Sequence, residues 1–159
     1  MATNRGKAFE KIIYDGFNEI PDVSIDRIPD QTMRYKGRTN VSDFIVFCSP
    51  FEHYIECKTV HGHRLSFSKI TQFDALLEKN KIRGVDAGVI CWWVDKDVTR
   101  WLPIESLDTM RRIGCKSISF DDALIGSIAI SGRKKKVYFD YDLRAFINEI
   151  RRQYERDDR

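Results

Sequence analysis

Glu56 and Lys58 stand two apart in Tyr54-Ile55-Glu56-Cys57-Lys58, a run that otherwise reads as a strand. Strands favour β-branched and aromatic residues, and Lys, Asp and Glu are depleted from them. With a period of two, Glu56 and Lys58 project from one face, roughly 7 Å apart along the strand, while Ile55 and Cys57 turn toward a core. A second acid, Asp43, opens the preceding apolar run, Asp-Phe-Ile-Val-Phe-Cys over 43–48. The link Ser49-Pro50-Phe51-Glu52 is short and contains proline, which predicts an antiparallel hairpin with a second strand over 53–58. The start of one strand then lies across from the end of the other, so both acids reach the same end of a sheet. Asp43 must also share a face with Glu56, and that depends on register.

The rest of the chain supplies elements to flank such a hairpin. Phe9, Ile12, Ile13, Phe17 and Ile20 recur at helical spacing and predict a helix over 5–19, capped by Thr3 or Asn4. A strand-like piece follows at 23–28, then a polar, basic stretch from Pro29 to Asn40. The loop 59–66 leads to an expected helix over 68–82, with Ser68 as its N-cap and Ile70, Phe73, Leu76 and Leu77 inward. Residues 87–94 form a nearly continuous apolar run that suits a central strand, and 98–104 suit another. A short helix is expected from Glu105, and a small edge hairpin from 127–130 and 136–139. Asp142 should cap a last helix carrying Leu143, Phe146, Ile147, Ile150 and Tyr154, with a charged, fraying tail beyond it. No linker or repeat divides the chain. The expected class is α/β, a central mixed sheet flanked by helices in one domain over 1–159.

With 159 residues, 42% hydrophobic and 32% charged, the chain is long enough for one core and too apolar to be disordered. No apolar run approaches the roughly 20 residues that span a bilayer. The N-terminus has no signal-peptide core, so a cytoplasmic protein is expected. Cys48, Cys57, Cys91 and Cys115 lack metal-finger spacing and read as reduced, structural thiols. The net charge of +3 says little. Its distribution says more, because Arg27, Arg34, Lys36 and Arg38 precede Asp43 and Arg133-Lys134-Lys135-Lys136 forms a second basic run.

Cleavage of a phosphodiester needs an activated water and neutralised phosphate oxygens, both of which a carboxylate-held Mg²⁺ supplies. Mg²⁺ takes hard oxygen ligands and keeps several waters, so one or two protein carboxylates suffice. Asp43 and Glu56 meet that requirement, the Cys57 carbonyl is a natural third ligand, and Lys58 adds positive charge beside the water or phosphate. The alternative reading is a solvated strand-end Asp with an edge Glu/Lys pair, since acid-any-Lys triplets are common.

Further motifs extend the pattern. Asn4-Arg5-Gly6-Lys7 with Glu10, then Ser42-Asp43, Glu56-Cys57-Lys58-Thr59, and Ser66-Phe67 with Gln72 together resemble the RecU-type Holliday-junction resolvases of the PD-(D/E)xK nuclease superfamily. The resemblance runs from Asn4 to about Ile104. It implies a restriction-endonuclease-like core and a Mg²⁺-dependent homodimer, Mn²⁺ substituting, that nicks opposed strands of a four-way DNA junction. It places Glu10 and Gln72 at the site with Asp43, Glu56 and Lys58. Arg5, Lys7, Arg27, Arg34, Lys36, Arg38, His61, Arg64 and Lys69 become the DNA contacts. Two departures stand out: Ser42 replaces the superfamily's proline, and Pro29–Asn40 is short where RecU-type enzymes carry a long stalk. A reduced chain of this type suits a phage-encoded enzyme.

Other candidates carry less. His61 and His63 lack the partners of a zinc site, and Trp92, Trp93 and Trp101 read as strand core rather than base-stacking platforms. A related nuclease of linear, flap or sequence-specific DNA, and a DNA-binding module without catalysis, both remain open.

Overall fold

The computed structural model describes residues 2–29, 40–134 and 139–157, and the candidate contacts Arg34, Lys36 and Arg38 lie outside them. In chain order the elements are α1 (Ala2–Asn18), β1 (Ser24–Arg27), β2 (Phe44–Cys48), β3 (Phe51–Val60), β4 (Arg64–Ser66), a 3-10 turn (Phe67–Lys69), α2 (Phe73–Asn80) and β5 (Val85–Trp93). A second 3-10 turn (Val94–Lys96), β6 (Val98–Pro103), α3 (Ile104–Arg112), β7 (Ser117–Ser119) and α4 (Phe120–Ala123) follow. The chain closes with β8 (Ile128–Ala129), β9 (Gly132–Lys134), β10 (Phe139–Tyr141) and α5 (Leu143–Asp157).

Six strands make one mixed sheet in the order β1-β2-β3-β5-β6-β8. Its parallel pair is β3–β5, joined by the crossover that contains α2, and its other pairs are antiparallel. One face carries α1 and α5, whose Phe9, Ile13, Phe17, Phe146, Ile147 and Ile150 pack on Phe44, Val46, Ile55, Cys57 and Ile90. The other carries α2 and α3, with Phe73, Leu76, Ile104 and Leu107 on Val85, Val89, Cys91 and Trp93. The β5 strand is thus buried on both faces, as the nearly continuous apolar run over 87–94 predicts. Cys48, Cys57 and Cys91 are buried free thiols in these cores. Among the described residues no helix is long and apolar enough to cross a membrane.

Four local expectations are revised by the structure. The helix expected over 68–82 is a 3-10 turn and a shorter helix, because Ile70 leaves helical geometry at φ −95°, ψ 79° to bury its side chain. Ser68 does not cap α2; its hydroxyl bonds to that of Ser66 at 2.8 Å. Residues 128–129 extend the main sheet against β6, and β9 pairs with β10, while residues 136–138 of the expected hairpin lie outside the described residues. The Arg100 side chain fixes that choice by donating to the Ser127 carbonyl at 2.9 Å, and the Ile130 N–H donates to the Thr99 carbonyl at 3.0 Å. The tail expected to fray after Tyr154 continues as helix to Asp157.

The cap expected at Asp142 is present: its Oδ1 accepts from the Ala145 N–H at 3.0 Å. Asp142→Ala is expected to cost about 1 kcal/mol, read as a fall in Tm of about 2–4 °C.

Candidate active site

The β2–β3 ladder pairs Phe44 with Ile55 and then slips. The Asp43 N–H donates back to the Ile55 carbonyl at 3.1 Å, and the Asp43 carbonyl accepts from Ile28 N–H at 2.9 Å. Here the chain leaves the ladder, so the Cys57 N–H loses the backbone partner that a longer β2 would supply. The Asp43 side chain takes over that role, its Oδ2 accepting from Cys57 N–H at 2.8 Å. This bond sets the first acid against the residue that follows Glu56, and it answers the register question left open by the sequence.

Glu56 is buried, with only 1% of its surface exposed. One oxygen, Oε1, accepts from Lys58 Nζ at 2.7 Å. The other, Oε2, is buried and has no hydrogen-bond partner. Burial pushes the carboxyl up to about 7, and the neighbouring charges of Asp43 and Glu10 add to the effect against the opposing pull of Lys58. Burial disfavours the Lys58 ammonium, yet the charge and hydrogen bond of Glu56 outweigh it and hold the lysine above its ordinary value. The Cys57 thiol is pushed up by burial and by the same acids, so it stays protonated in the core. Any part that Cys57 takes at the site falls to its carbonyl.

An orphaned buried carboxylate oxygen is costly unless something satisfies it. A hard cation beside Asp43 and Glu56 would do so, and the donor set therefore fits Mg²⁺. Among the described residues no three His, Cys, Asp or Glu side chains converge as a metal cage. Two carboxylates with several waters is the arrangement that Mg²⁺ accepts.

The remaining candidates distribute unevenly. The half-buried Glu10, on α1, bonds Arg27 Nη2 at 3.2 Å, and its charge reaches both Glu56 and Cys57. Arg27 is thus tied to an acid at the site's margin. Gln72 occupies the N-cap position of α2, and its side-chain oxygen is committed to the Thr71 hydroxyl at 2.7 Å. Lys7, Arg64 and Lys69 are exposed, and Arg64 donates to Ser117 Oγ at 3.2 Å. Arg5 meets His61 at 3.4 Å, and His63 meets Asp121 at 3.2 Å, so the two histidines take separate partners. Trp93 and Trp101 are fully buried, and Trp92 packs on Phe9 with ring centroids 5.7 Å apart.

Asp95 escapes the sequence reading. Its Oδ2 accepts from Gly62 N–H at 2.6 Å and holds the loop that follows β3. The one clue is its place just past the apolar run of β5, where parallel strands end together.

No protein-family model matches the chain, and no curated protein matches it. Among solved structures it is similar to Archaeoglobus fulgidus Hjc, a Holliday junction resolvase from an archaeal hyperthermophile. The TM-score is 0.54 at 14% identity, over 78% of this chain and 93% of that one. At such identity the likeness is one of fold. The six-stranded mixed sheet and its flanking helices are built like those of the Hjc resolvase.

Proposed function

We propose that the chain is a Mg²⁺-dependent DNA endonuclease that resolves four-way junctions by paired symmetric nicks, acting as a homodimer in the cytoplasm. The observation that carries this reading is the bare, buried Oε2 of Glu56 beside Asp43, on a fold shared with a resolvase. The motifs from Asn4 to Gln72 favour the RecU-type branch and a single nuclease domain over 1–159. A two-fold junction asks for two active sites, which a symmetric dimer supplies.

Asp43 and Glu56 would hold the ion, with the Cys57 carbonyl as a further oxygen. When bound, Mg²⁺ would lower the pKa of its water and offset phosphate charge; Mn²⁺ would serve in its place. Lys58, kept charged by Glu56, would set a cation against the scissile phosphate. Glu10 would orient the water or share in holding the ion, restrained by Arg27. Gln72 would line the far side of the site. Arg5, Lys7, Arg27, Arg34, Lys36, Arg38, Arg64 and Lys69 would hold the DNA backbone, with His61 acting beside Arg5.

The test is cleavage of a synthetic four-way junction with Mg²⁺ and with chelator. Asp43→Asn keeps an oxygen to accept from Cys57 N–H but removes the charge, so the fold should survive while the rate falls about 10²–10³-fold. Cutting at the wild-type rate by this variant would overturn the assignment. The shortness of the 29–40 stretch favours a second reading, a nuclease of linear or flap DNA. Competing linear duplex against the junction in the same assay separates the two.

A further inference from the structure

The strands β3 and β5 are parallel and end together, Val60 beside Trp93. Open α/β sheets characteristically bind ligands beyond the carboxyl ends of such strands. Two connections meet there: the loop that starts at His61 and the 3-10 turn that carries Asp95. Gly62 turns with φ +87°, a region that suits glycine, and aims its N–H at Asp95 Oδ2, 2.6 Å away. That bond is the main reason the Asp95 carboxyl is held below its ordinary range. The other oxygen, Oδ1, faces His61 Nδ1 at 3.7 Å. On the far side of the imidazole, Nε2 lies 3.4 Å from Arg5 Nη1 on α1.

The directions of these contacts form a consistent chain. Arg has only donors, so Arg5 must donate to Nε2, and the imidazole proton then sits on Nδ1, facing Asp95. Carboxylate–imidazole pairs of this kind fix ring tautomer and orientation. A loop staple would need only the Gly62–Asp95 bond. The added His61 instead spends its acceptor on a guanidinium, and this contact uses one of that group's five donors. From Glu56 to His61 the chain reaches at most roughly 16 Å, under half of a duplex turn of about 34 Å. Arg5, which touches His61, therefore lies within half a duplex turn of a strand seated at the carboxylates.

Resting on the nuclease reading above, we propose that His61 and Asp95 are positioning residues for Arg5, presenting its guanidinium fork to a backbone phosphate of the DNA strand that lies at Asp43 and Glu56. A planar fork suits phosphate because it binds two oxygens at once.

Binding of a labelled four-way junction, and of linear duplex, is measured in chelator across a salt series, so that no cleavage intervenes. Arg5→Ala is expected to weaken binding about 10-fold and to reduce the salt slope by about 0.9. His61→Ala and Asp95→Ala are each expected to weaken it about 3-fold in the wild-type background and not at all in the Arg5→Ala background. Arg5→Lys should restore the slope without restoring sensitivity to His61→Ala, because the charge returns and the fork does not. Wild-type affinity in Arg5→Ala, or losses at Arg5 and His61 that simply add, would overturn the proposal while leaving the nuclease reading intact. A wild-type protein that binds neither DNA removes both. Equal thermal melts across the variants separate positioning from misfolding.

Discussion

Glu56→Gln is expected to move two measurements in opposite directions, slowing metal-dependent cleavage while making the metal-free protein more heat-resistant at alkaline pH. The first effect follows from losing a carboxylate that would hold the ion, and a fall of about 10²–10³-fold is expected. The second follows from linkage. Glu56 titrates near 7 in the fold against an ordinary value of 4.5, so its raised folded value favours the fold fully only below about pH 4.5. That contribution is lost as pH rises through about 7, and at pH 8 the protein carries the whole penalty of a charged, buried carboxylate. A shift of this size corresponds to on the order of 3 kcal/mol, or about 6–12 °C in Tm for a domain of this length.

Glutamine keeps an oxygen for Lys58 and carries no charge. In chelator the variant should therefore melt higher than wild type at pH 8 and equally near pH 4.5. Added Mg²⁺ should raise the wild-type Tm, since a ligand of the native state stabilises it, and leave the variant unmoved. A variant that melts lower at pH 8 and still gains from Mg²⁺ would show that Glu56 is neither penalised by burial nor a ligand.

The largest effect on folding is expected at Gly88, in the middle of β5. A Cβ there would lie 2.3 Å from the Leu102 carbonyl oxygen and 2.9 Å from the Trp101 ring. The oxygen belongs to the backbone of β6, in the register that sets Gly88 opposite Pro103, so relief requires two central strands to part. Gly88→Val should cost more than about 4 kcal/mol and yield little folded protein. Gly88→Ala should be severe for the same reason. Gly16 is the internal control, because an added Cβ meets only the end of the Leu143 side chain, at 2.7 Å, which can rotate away. The cost of Gly16→Ala should stay within about 1–3 kcal/mol, partly offset by helix propensity. Circular dichroism melts of the three variants check the ranking.

What could be read from the chain follows how local each cause is. Asp142 caps through a bond to a residue three positions on, and β5 is apolar apart from Asp86, so both are visible in sequence. Glu56 and Lys58 were conspicuous because nothing in strand chemistry asks for them. The failures have two sources: Ser68 turns to its near neighbour Ser66 instead of capping α2, and Ile128 pairs with the distant Trp101 rather than with a nearer segment. At the site, the sequence names Asp43 but not the bond to Cys57 N–H that seats it. It likewise names Glu10 and Arg27 without pairing them, and passes over Asp95, whose partners lie some thirty positions away.

The sheet order makes the molecule hold together unevenly. The β5 strand is covered on both faces and paired along both edges, so its amides can meet solvent only when the whole fold opens. The opposite condition holds at β1, a four-residue margin whose last reach into the sheet is the Ile28 N–H on the Asp43 carbonyl. Asp43 joins that margin to the interior, its carbonyl holding Ile28 while its N–H and Oδ2 hold β3, and Glu56 sits one strand from the part that opens last. An ion shared by the two carboxylates would tighten the hold of the interior on the loose margin. Binding and local order would then be one event.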